Sequence, residues 1–233
     1  SGRVTGYREA GPIVVSEDVP EDPVMKSIVT AFSKPVESVK NRVIGRTETP
    51  LVRDRDVQTM AMVVADAQLE ATAKFGSVVA FVNAGGVRAA LEAGDVTYGD
   101  ALTVQPFNNA LTVLELTGAE LLAALVHGVK NGGGQLFPSH GTSYVVSGGE
   151  VSDVFVAGAP IDASKAYFVA VNAFTAGGGD AHTTLKEAKG KRVDTGLIDI
   201  DALLDYFKNH SPIKIDEGPR IKYSAGVQMA KAG

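Results

Sequence analysis

The sequence has no cysteine and no tryptophan among its 233 residues. Without cysteine, a disulfide framework and a thiolate metal site are both excluded. A large excess of one charge is also lacking, because 22 Lys and Arg stand against 27 Asp and Glu and give a formal net charge of −5. This weakly negative charge argues against binding to a nucleic-acid polymer. No apolar run reaches the length of a membrane span, so we expect none.

Histidine is scarce and dispersed. The four histidines are His127, His140, His182 and His210. None forms an H-x-H or H-E-x-x-H pair, and the glycines at 132–134 lack the Gly-Lys-Ser/Thr element of a phosphate-binding loop. We therefore expect neither a metal site nor a catalytic residue in this chain. His182, two residues after Asp180, is expected in a surface loop, with a place in a pocket lining as the alternative.

The most informative segment that is present covers residues 171–180 and reads VNAFTAGGGD. It predicts a strand that ends near the ring of Phe174, followed by three glycines and the carboxylate of Asp180. The glycines remove the bulk between ring and carboxylate, so that both can face one ligand. A planar base with a sugar attached requires this combination of a stacking surface and a hydrogen-bond acceptor. The alternative is a strand, a flexible turn and a helix N-cap.

A second loop, at residues 83–88 (NAGGVR), follows the apolar run 78–82, which is typical of a buried strand. Gly85 and Gly86 let backbone N–H groups come close to a ligand. Arg88 follows with a planar cationic fork that suits phosphate or carboxylate. The alternative is a tight turn with a surface arginine.

A third loop covers residues 105–109 and reads QPFNN. Pro106 stiffens the chain before Phe107, and an amide follows at Asn109. Phe107 is therefore a second candidate for stacking. The alternative is an ordinary core ring, the commoner position of a single phenylalanine.

The remaining patterns predict an α+β fold, with a mixed sheet and flanking helices. Strands are expected at about 13–15, 42–45, 78–82, 111–116, 143–146, 151–156 and 167–171, and helices at about 24–32, 57–74, 121–126 and 200–209. Asp56 is a candidate N-cap, Thr117 and Glu120 form a predicted capping box, and Gly148-Gly149 predicts a hairpin turn. We expect the candidate ligand loops to cluster at one edge of the sheet.

Taken in order, residues 57–59, 83–88, 105–109 and 174–180 resemble the C-terminal, substrate-binding domain of the 5′-nucleotidase family. The resemblance covers residues 43–221 approximately and is closest to the bacterial, periplasmic branch of nucleotidases and UDP-sugar hydrolases. Several motifs in a fixed order are more specific than any single one.

The resemblance implies roles for the residues at the matching positions. Phe107 and Phe174 would hold the base between their rings, and Asn109 would hydrogen-bond to it. Asp180 would bind the ribose hydroxyls. Gly134, from the glycine run 132–134, would lie against the base or the ribose.

The same resemblance assigns the phosphate side of the ligand. Arg88 and Arg55 would face the phosphate, and the loop bearing Asn83, Gly85 and Gly86 would contact the substrate. The sequence departs from the usual family pattern at a few positions: Ala84, Asn108 and Ala181 replace common glycines, and Leu51 replaces a second arginine, for which Arg53 is the nearest substitute.

For the whole protein, the resemblance implies a larger hydrolase. Residues 1–23 are expected to be a linker or the end of an N-terminal metallophosphoesterase domain, and residues 24–233 the substrate-binding domain. Two divalent metal ions would be held by that other domain and none by this chain. The chain alone would bind a nucleotide or nucleoside without hydrolysing it, in a periplasmic or extracellular setting.

The parent enzyme would remove phosphate from nucleoside 5′-monophosphates or related nucleotides. Two alternatives remain open at this point. One is a related two-domain hydrolase that acts on cyclic nucleotides, UDP-sugars or sulfur compounds. The other is a stand-alone nucleoside-binding module.

Overall fold

The computed structural model of the chain describes residues 19–54, 57–130 and 134–224, together with Gly6, Gly11 and Ser16. The chain divides into two compact units, Ser1–Ser38 and Val39–Gly233. The strand expected at 13–15 and the N-cap expected at Asp56 both lie outside the described residues.

The first unit contains α1 (Pro23–Ser33), which matches the helix predicted at 24–32. Asp22 caps this helix, because its Oδ1 accepts hydrogen bonds from the backbone N–H groups of Val24 at 2.8 Å and Met25 at 2.9 Å. Pro23 occupies the first helical position, where its missing N–H costs nothing. These two signals fix the start of the helix.

The later elements alternate between helix and strand. The helices are α2 (Glu37–Lys40), α3 (Thr59–Thr72), α4 (Tyr98–Val104), α5 (Gly118–Lys130), α6 (Ala173–Ala176), α7 (Thr183–Lys186) and α8 (Asp199–His210). The strands are β1 (Val43–Thr47), β2 (Val79–Asn83), β3 (Gly94–Thr97), β4 (Ala110–Thr117), β5 (Leu136–Pro138), β6 (Ser143–Ser147), β7 (Glu150–Val156), β8 (Ala159–Pro160), β9 (Ala166–Asn172), β10 (Arg192–Ile198) and β11 (Ile221–Tyr223).

A mixed five-stranded sheet with the strand order β10-β4-β9-β2-β5 forms the centre of the second unit. Strands β2 and β9 are parallel, and the other neighbours in this sheet are antiparallel. A four-stranded sheet (β11-β6-β7-β8) and a two-stranded sheet (β1-β3) complete the strands. The predicted α+β class with a mixed sheet and flanking helices is confirmed.

The core surrounds β2 and α3. Every residue of β2 is buried, as a strand covered on both faces requires. Nearly all of α3 is buried too, because it packs against β2 and β5 as well as against α8. The helix begins at Thr59, two residues later than the sequence suggests, because Gln58 adopts a left-handed conformation with φ of 39°.

Two local predictions are confirmed by hydrogen bonds and pairing. Thr117 N–H donates to Glu120 Oε2 at 2.8 Å, and Glu120 N–H donates to Thr117 Oγ1 at 3.2 Å, which is the reciprocal pattern of a capping box. Strands β6 and β7 form an antiparallel hairpin whose turn residues Gly148 and Gly149 have φ of 57° and 83°. Glycine suits this turn because both central residues need positive φ.

Three loops meet at one edge of the central sheet. Strands β2 and β9 are parallel, with Val79 opposite Val169, so that both end at the same edge. Strand β4 runs antiparallel to β9, with Leu111 opposite Asn172, so that β4 begins at this edge. The loop after β2, the loop after β9 and the loop before β4 therefore lie side by side, as expected from the sequence.

Candidate functional site

A cavity of about 490 Å³ opens at this edge, which lies within the range of small-molecule pockets. Its lining residues are Asn83, Gly85, Gly86, Arg88, Phe107, Asn109, Asn172, Phe174 and Asp180. We refer to it as the loop cavity. Eight of the ten site residues predicted from the sequence line it. Of the other two, Arg55 lies outside the described residues and Gly134 lies behind the loop that carries Asp180.

The two phenylalanines expose their rings. Phe107 is 51% exposed and Phe174 is 49% exposed, and both line the loop cavity. The alternative in which Phe107 is an ordinary core ring is therefore wrong. The Arg88 guanidinium lies 5.9 Å from the centre of the Phe107 ring, within the range of a cation–π contact. Exposed aromatic faces around a cavity favour a ligand with a flat apolar part.

The position of Phe174 depends on a glycine. A Cβ atom added to Gly179 would lie 2.4 Å from Cε1 of the Phe174 ring. Only glycine leaves room for the ring to pack over this part of the backbone. Gly179 is therefore needed because it has no side chain, and not because it makes the loop flexible.

A chain of hydrogen bonds ends at the carboxylate of Asp180. Asn83 Nδ2 donates to Asp180 Oδ2 at 2.7 Å, and Asn172 Nδ2 donates to Asn83 Oδ1 at 2.9 Å. Asn172 Oδ1 in turn accepts from the N–H of Thr175 at 2.8 Å. Both asparagines are almost fully buried. Because each amide is fixed at both ends, the chain holds one oxygen of Asp180. Among the described residues, no donor is bonded to the other oxygen, Oδ1, which can face a ligand.

The same hydrogen bonds hold Asp180 in an unfavourable backbone conformation. Asp180 has a positive φ of 51°, which L residues rarely adopt and which aspartate tolerates better than most. On the opposite loop, a Cβ atom at Gly86 would lie 2.7 Å from Asn83 Oδ1 and would push that amide out of place. Gly86 thus protects the hydrogen bond between Asn83 and Asp180.

The arginines near the loop cavity differ in the contacts that they make. Arg88 is exposed and makes one long contact, from Nη1 to the carbonyl oxygen of Gly85 at 3.5 Å. Arg53 donates from Nε to the carbonyl oxygen of Val87 at 2.6 Å, so that it supports the loop from outside the cavity lining. Leu51, at the position of a family arginine, is fully buried in the core. Among the described residues, Arg88 is the cation that the loop cavity presents to an anion.

Asn109 is tied to the start of α8. Its Nδ2 donates to Asp199 Oδ2 at 3.2 Å, and its carbonyl oxygen accepts from the Asp199 N–H at 2.9 Å. Asp199 is only 2% exposed, and burial raises the pKa of its carboxyl group, which the hydrogen bonds from Asn109 and from the Ile200 N–H counteract. Asn109 lines the loop cavity and Asp199 does not.

His182 is fully buried, so the expectation of a surface loop position is wrong. Its Nε2 lies 2.6 Å from the carbonyl oxygen of Gly134, and its ring centre lies 5.1 Å from that of His127. Burial lowers the pKa of His182. Nε2 donates to the Gly134 oxygen, because a carbonyl can only accept a hydrogen bond. A Cβ atom at Gly134 would come within 3.0 Å of both His182 Nε2 and Asp180 O. His182 joins the glycine segment to the Asp180 loop.

Within the part of the chain that the structure describes, no three His, Asp or Glu side chains lie close enough together to hold a metal ion. Across the same residues, every helix is too short or too polar to cross a bilayer. The loop cavity instead offers aromatic faces, a carboxylate acceptor and a guanidinium. This combination suits the binding of a flat, hydroxylated, anionic molecule.

The family follows from comparison with known proteins. The model of the 5′-nucleotidase C-terminal domain matches residues 43–187, which is more than half of the chain. The chain therefore belongs to the 5′-nucleotidase C-terminal domain family, and the resemblance stated from the sequence is confirmed.

Individual relatives agree with this assignment. The chain is 32% identical to Protein UshA of Escherichia coli over 210 residues, which is 87% of this chain and 38% of the relative. It is 33% identical to a 5′-nucleotidase of Vibrio parahaemolyticus over 215 residues, which is 88% of this chain and 37% of the relative. The crystal structure of a 5′-nucleotidase precursor from Thermus thermophilus superimposes with a TM-score of 0.82 at 33% identity, covering 89% of this chain and 44% of that one. The chain thus spans less than half the length of these relatives.

Sequence reasoning did not single out two residues that shape the cavity. Asn172 ends β9 and carries the hydrogen-bond chain to Asp180, and Asp199 holds Asn109. The sequence contains only a weak signal for either, an asparagine at a strand end and an aspartate at a helix start. Their partners lie 89 and 90 residues away, so that no local pattern connects them.

Proposed function

We propose that this chain is the nucleotide-binding domain of a 5′-nucleotidase-type phosphohydrolase and that the loop cavity holds the base and the ribose. The observation that carries the proposal is the pair of exposed rings, Phe107 and Phe174, in the same cavity as the carboxylate of Asp180. A base needs apolar faces for stacking, and a ribose needs an acceptor for its hydroxyls.

Each group in the cavity then has a task. The base lies between Phe107 and Phe174, with Asn109 at its edge. The ribose hydroxyls donate to Asp180, whose Oδ2 is already held by Asn83. Arg88 faces the phosphate, because guanidinium binds phosphate oxygens in a bidentate manner. Gly134 supports the ribose side through His182 and the Asp180 loop.

One role rests on the family alone. Arg55 is proposed as a second group on the phosphate side. The loop residues Gly85 and Gly86 are proposed to contact the substrate, since the absence of side chains there brings the backbone close to the ligand.

Hydrolysis is assigned to another part of the parent protein. We propose that residues 1–23 lead from an N-terminal metallophosphoesterase domain and that residues 24–233 act as its substrate-binding partner. Two divalent metal ions in that domain would stabilise the attacking and leaving oxygens of the phosphate. This chain alone would bind the nucleotide without cleaving it. A periplasmic or extracellular location belongs to the same proposal.

The test is a calorimetric titration of the chain with adenosine, AMP and UDP-glucose, repeated with Phe174→Ala. The proposal expects adenosine and AMP to bind, and expects the variant to lose about tenfold or more in affinity, because stacking on one aromatic ring contributes about 1–3 kcal/mol per base. Phe155→Ala is the matched control, because Phe155 is 40% exposed on β7 and does not line the loop cavity.

Each result has a distinct meaning. Binding of adenosine that is lost in Phe174→Ala and retained in Phe155→Ala supports a nucleoside site in the loop cavity. Equal loss in both variants would place the effect elsewhere. If none of the three compounds binds, the cavity is not a nucleoside site in this chain. Binding of UDP-glucose alone would favour the UDP-sugar alternative.

A further inference from the structure

The orientation of the Asn109 amide determines which hydrogen-bonding groups of a base the loop cavity can recognise. Asn109 is attached to Asp199 by both its side chain and its main chain, at 3.2 Å and 2.9 Å. The first bond leaves from Nδ2, so that the nitrogen of the amide is turned towards Asp199 and the oxygen is on the other side. Among the described residues, no donor is hydrogen-bonded to Asn109 Oδ1.

While Asp199 is ionised, its chemistry fixes this orientation. An ionised carboxylate has acceptors only, and the other oxygen of Asp199 already accepts the Ile200 N–H at 2.8 Å. If the Asn109 amide were turned over, Oδ1 would face Asp199 Oδ2, and two acceptors would meet without a proton between them. Because Asp199 is 2% exposed, water would not relieve that repulsion.

We propose that Asp199 holds Asn109 with its amide oxygen presented to the base, and that the loop cavity thereby selects bases with an exocyclic amine. Adenine and cytosine carry such a donor, whereas hypoxanthine and uracil carry a carbonyl at the same place. The carbonyl oxygen of such a base would face the amide oxygen of Asn109. Both atoms are acceptors, so the contact would be repulsive. The inference rests on the proposed function, because it requires the base to lie in the loop cavity. Asp199 is a positioning residue in this scheme, since it acts through Asn109.

The first arm of the test needs no variant. Dissociation constants are measured for adenosine and inosine, and for cytidine and uridine, with the wild-type chain. Each pair differs at the amine or carbonyl and keeps the ribose and the stacking area nearly the same. The proposal expects the amine-bearing member of each pair to bind about tenfold more tightly, since an acceptor left facing an acceptor in a desolvated site costs about that much.

The second arm of the test turns the side-chain amide of Asn109 over. In Asp199→Asn, the new side chain keeps its oxygen on the Ile200 N–H and turns an NH₂ group towards Asn109. Asn109 must then rotate and present its own NH₂ group to the base. The ratio of the inosine to the adenosine dissociation constant is expected to fall by more than tenfold and to approach or pass unity.

Two further variants separate positioning from structure. In Asn109→Ala, the ratio is expected to fall to about one, because stacking does not distinguish the two bases. Asp201→Asn removes the same charge from the first turn of α8 at an exposed position and is expected to leave the wild-type ratio unchanged. A purely structural role for Asp199 would weaken both nucleosides equally and would leave the ratio as it is.

The outcomes are distinguishable. Equal affinity of the wild-type chain for adenosine and inosine overturns the inference and leaves the nucleoside site intact. A wild-type ratio that persists in Asp199→Asn overturns the role of Asp199. Absence of binding by all four nucleosides overturns the proposed function and the inference together. If Asp199→Asn does not fold, the two wild-type pairs and Asn109→Ala still decide whether Asn109 selects the base.

Discussion

Asp180 owes its position in the loop cavity to two buried asparagines. The chain from Thr175 through Asn172 and Asn83 runs in one direction, with each amide donating towards the carboxylate. Such a chain strengthens the final hydrogen bond and fixes the oxygen that it reaches. Asn172 can therefore influence a ribose at Asp180 through Asn83.

Asn172→Asp breaks the chain at its middle. The new carboxylate cannot donate to Asn83 Oδ1, which is left buried and opposed by a charge. We expect adenosine affinity to fall about tenfold and the free energy of unfolding to fall by about 1–3 kcal/mol. Calorimetry and urea unfolding measure the two effects. Asn41→Asp, the same change at an exposed position after α2, is the control and should change neither. Unaltered adenosine affinity in Asn172→Asp would contradict the proposed role of the chain.

His182 makes the fold sensitive to acid. Burial lowers its pKa from the ordinary value of 6.5, the carbonyl of Gly134 partly opposes that shift, and the neighbouring His127 adds to it, while Asp180 acts in the opposite direction. The unfolded chain therefore takes up a proton on this residue at a higher pH than the folded chain does. Stability is unaffected above the unfolded pKa and falls as the pH drops below it.

The expected slope from this one group is at most about 1.4 kcal/mol per pH unit, over the interval between the unfolded and the folded pKa. Replacement by a non-titrating donor, His182→Gln, should remove this component. Urea unfolding of both proteins between about pH 7 and pH 5 measures it. The explanation fails if the variant loses stability with acid as steeply as the wild-type protein does.

At the scale of elements, the loop after β9 combines a short helix, three glycines and a strained aspartate. Gly179 lies under the Phe174 ring, where a Cβ atom would approach to 2.4 Å. The ring is about half exposed, so that it can swing away from an added methyl group at little cost in stability. The geometry of the loop, rather than its mobility, thus places the stacking surface.

Gly179→Ala should therefore impair binding more than folding. We expect adenosine affinity to fall by about as much as in Phe174→Ala, with a change in unfolding free energy below about 1 kcal/mol. Gly218→Ala is the matched control, because a Cβ atom there would meet nothing within 4 Å. Calorimetry and thermal unfolding of the two variants provide the comparison. Normal affinity in Gly179→Ala would show that the ring does not need this position.

For the whole molecule, local patterns predicted most of the longer helices and strands, and long-range contacts determined the rest. The capping box at Thr117 and the hairpin at Gly148-Gly149 could be read from a few neighbouring residues, because their hydrogen bonds are local. The meeting of the three loops at one edge was expected because binding residues concentrate on loops at the edge of a sheet. Strands β10 and β11 and the burial of His182 did not follow, because they depend on partners many residues away.

The same distinction applies to the loop cavity. Eight of its nine lining residues lie in compact motifs, and the sequence named all eight. No local pattern revealed the roles of Asn172 and Asp199, because each acts through a contact that only the folded chain brings together. The orientation of the Asn109 amide, on which the proposed base selection depends, follows from its contact with Asp199.

The central claim is that a base lies between Phe107 and Phe174, and proton NMR of adenosine in the presence of the chain tests it most directly. Rings on both faces of the base shield its H2 and H8 protons. Both resonances are expected to shift upfield on binding. The shifts should be smaller in each single alanine variant and absent in the double variant. Binding without such shifts, or shifts that persist in the double variant, would contradict it.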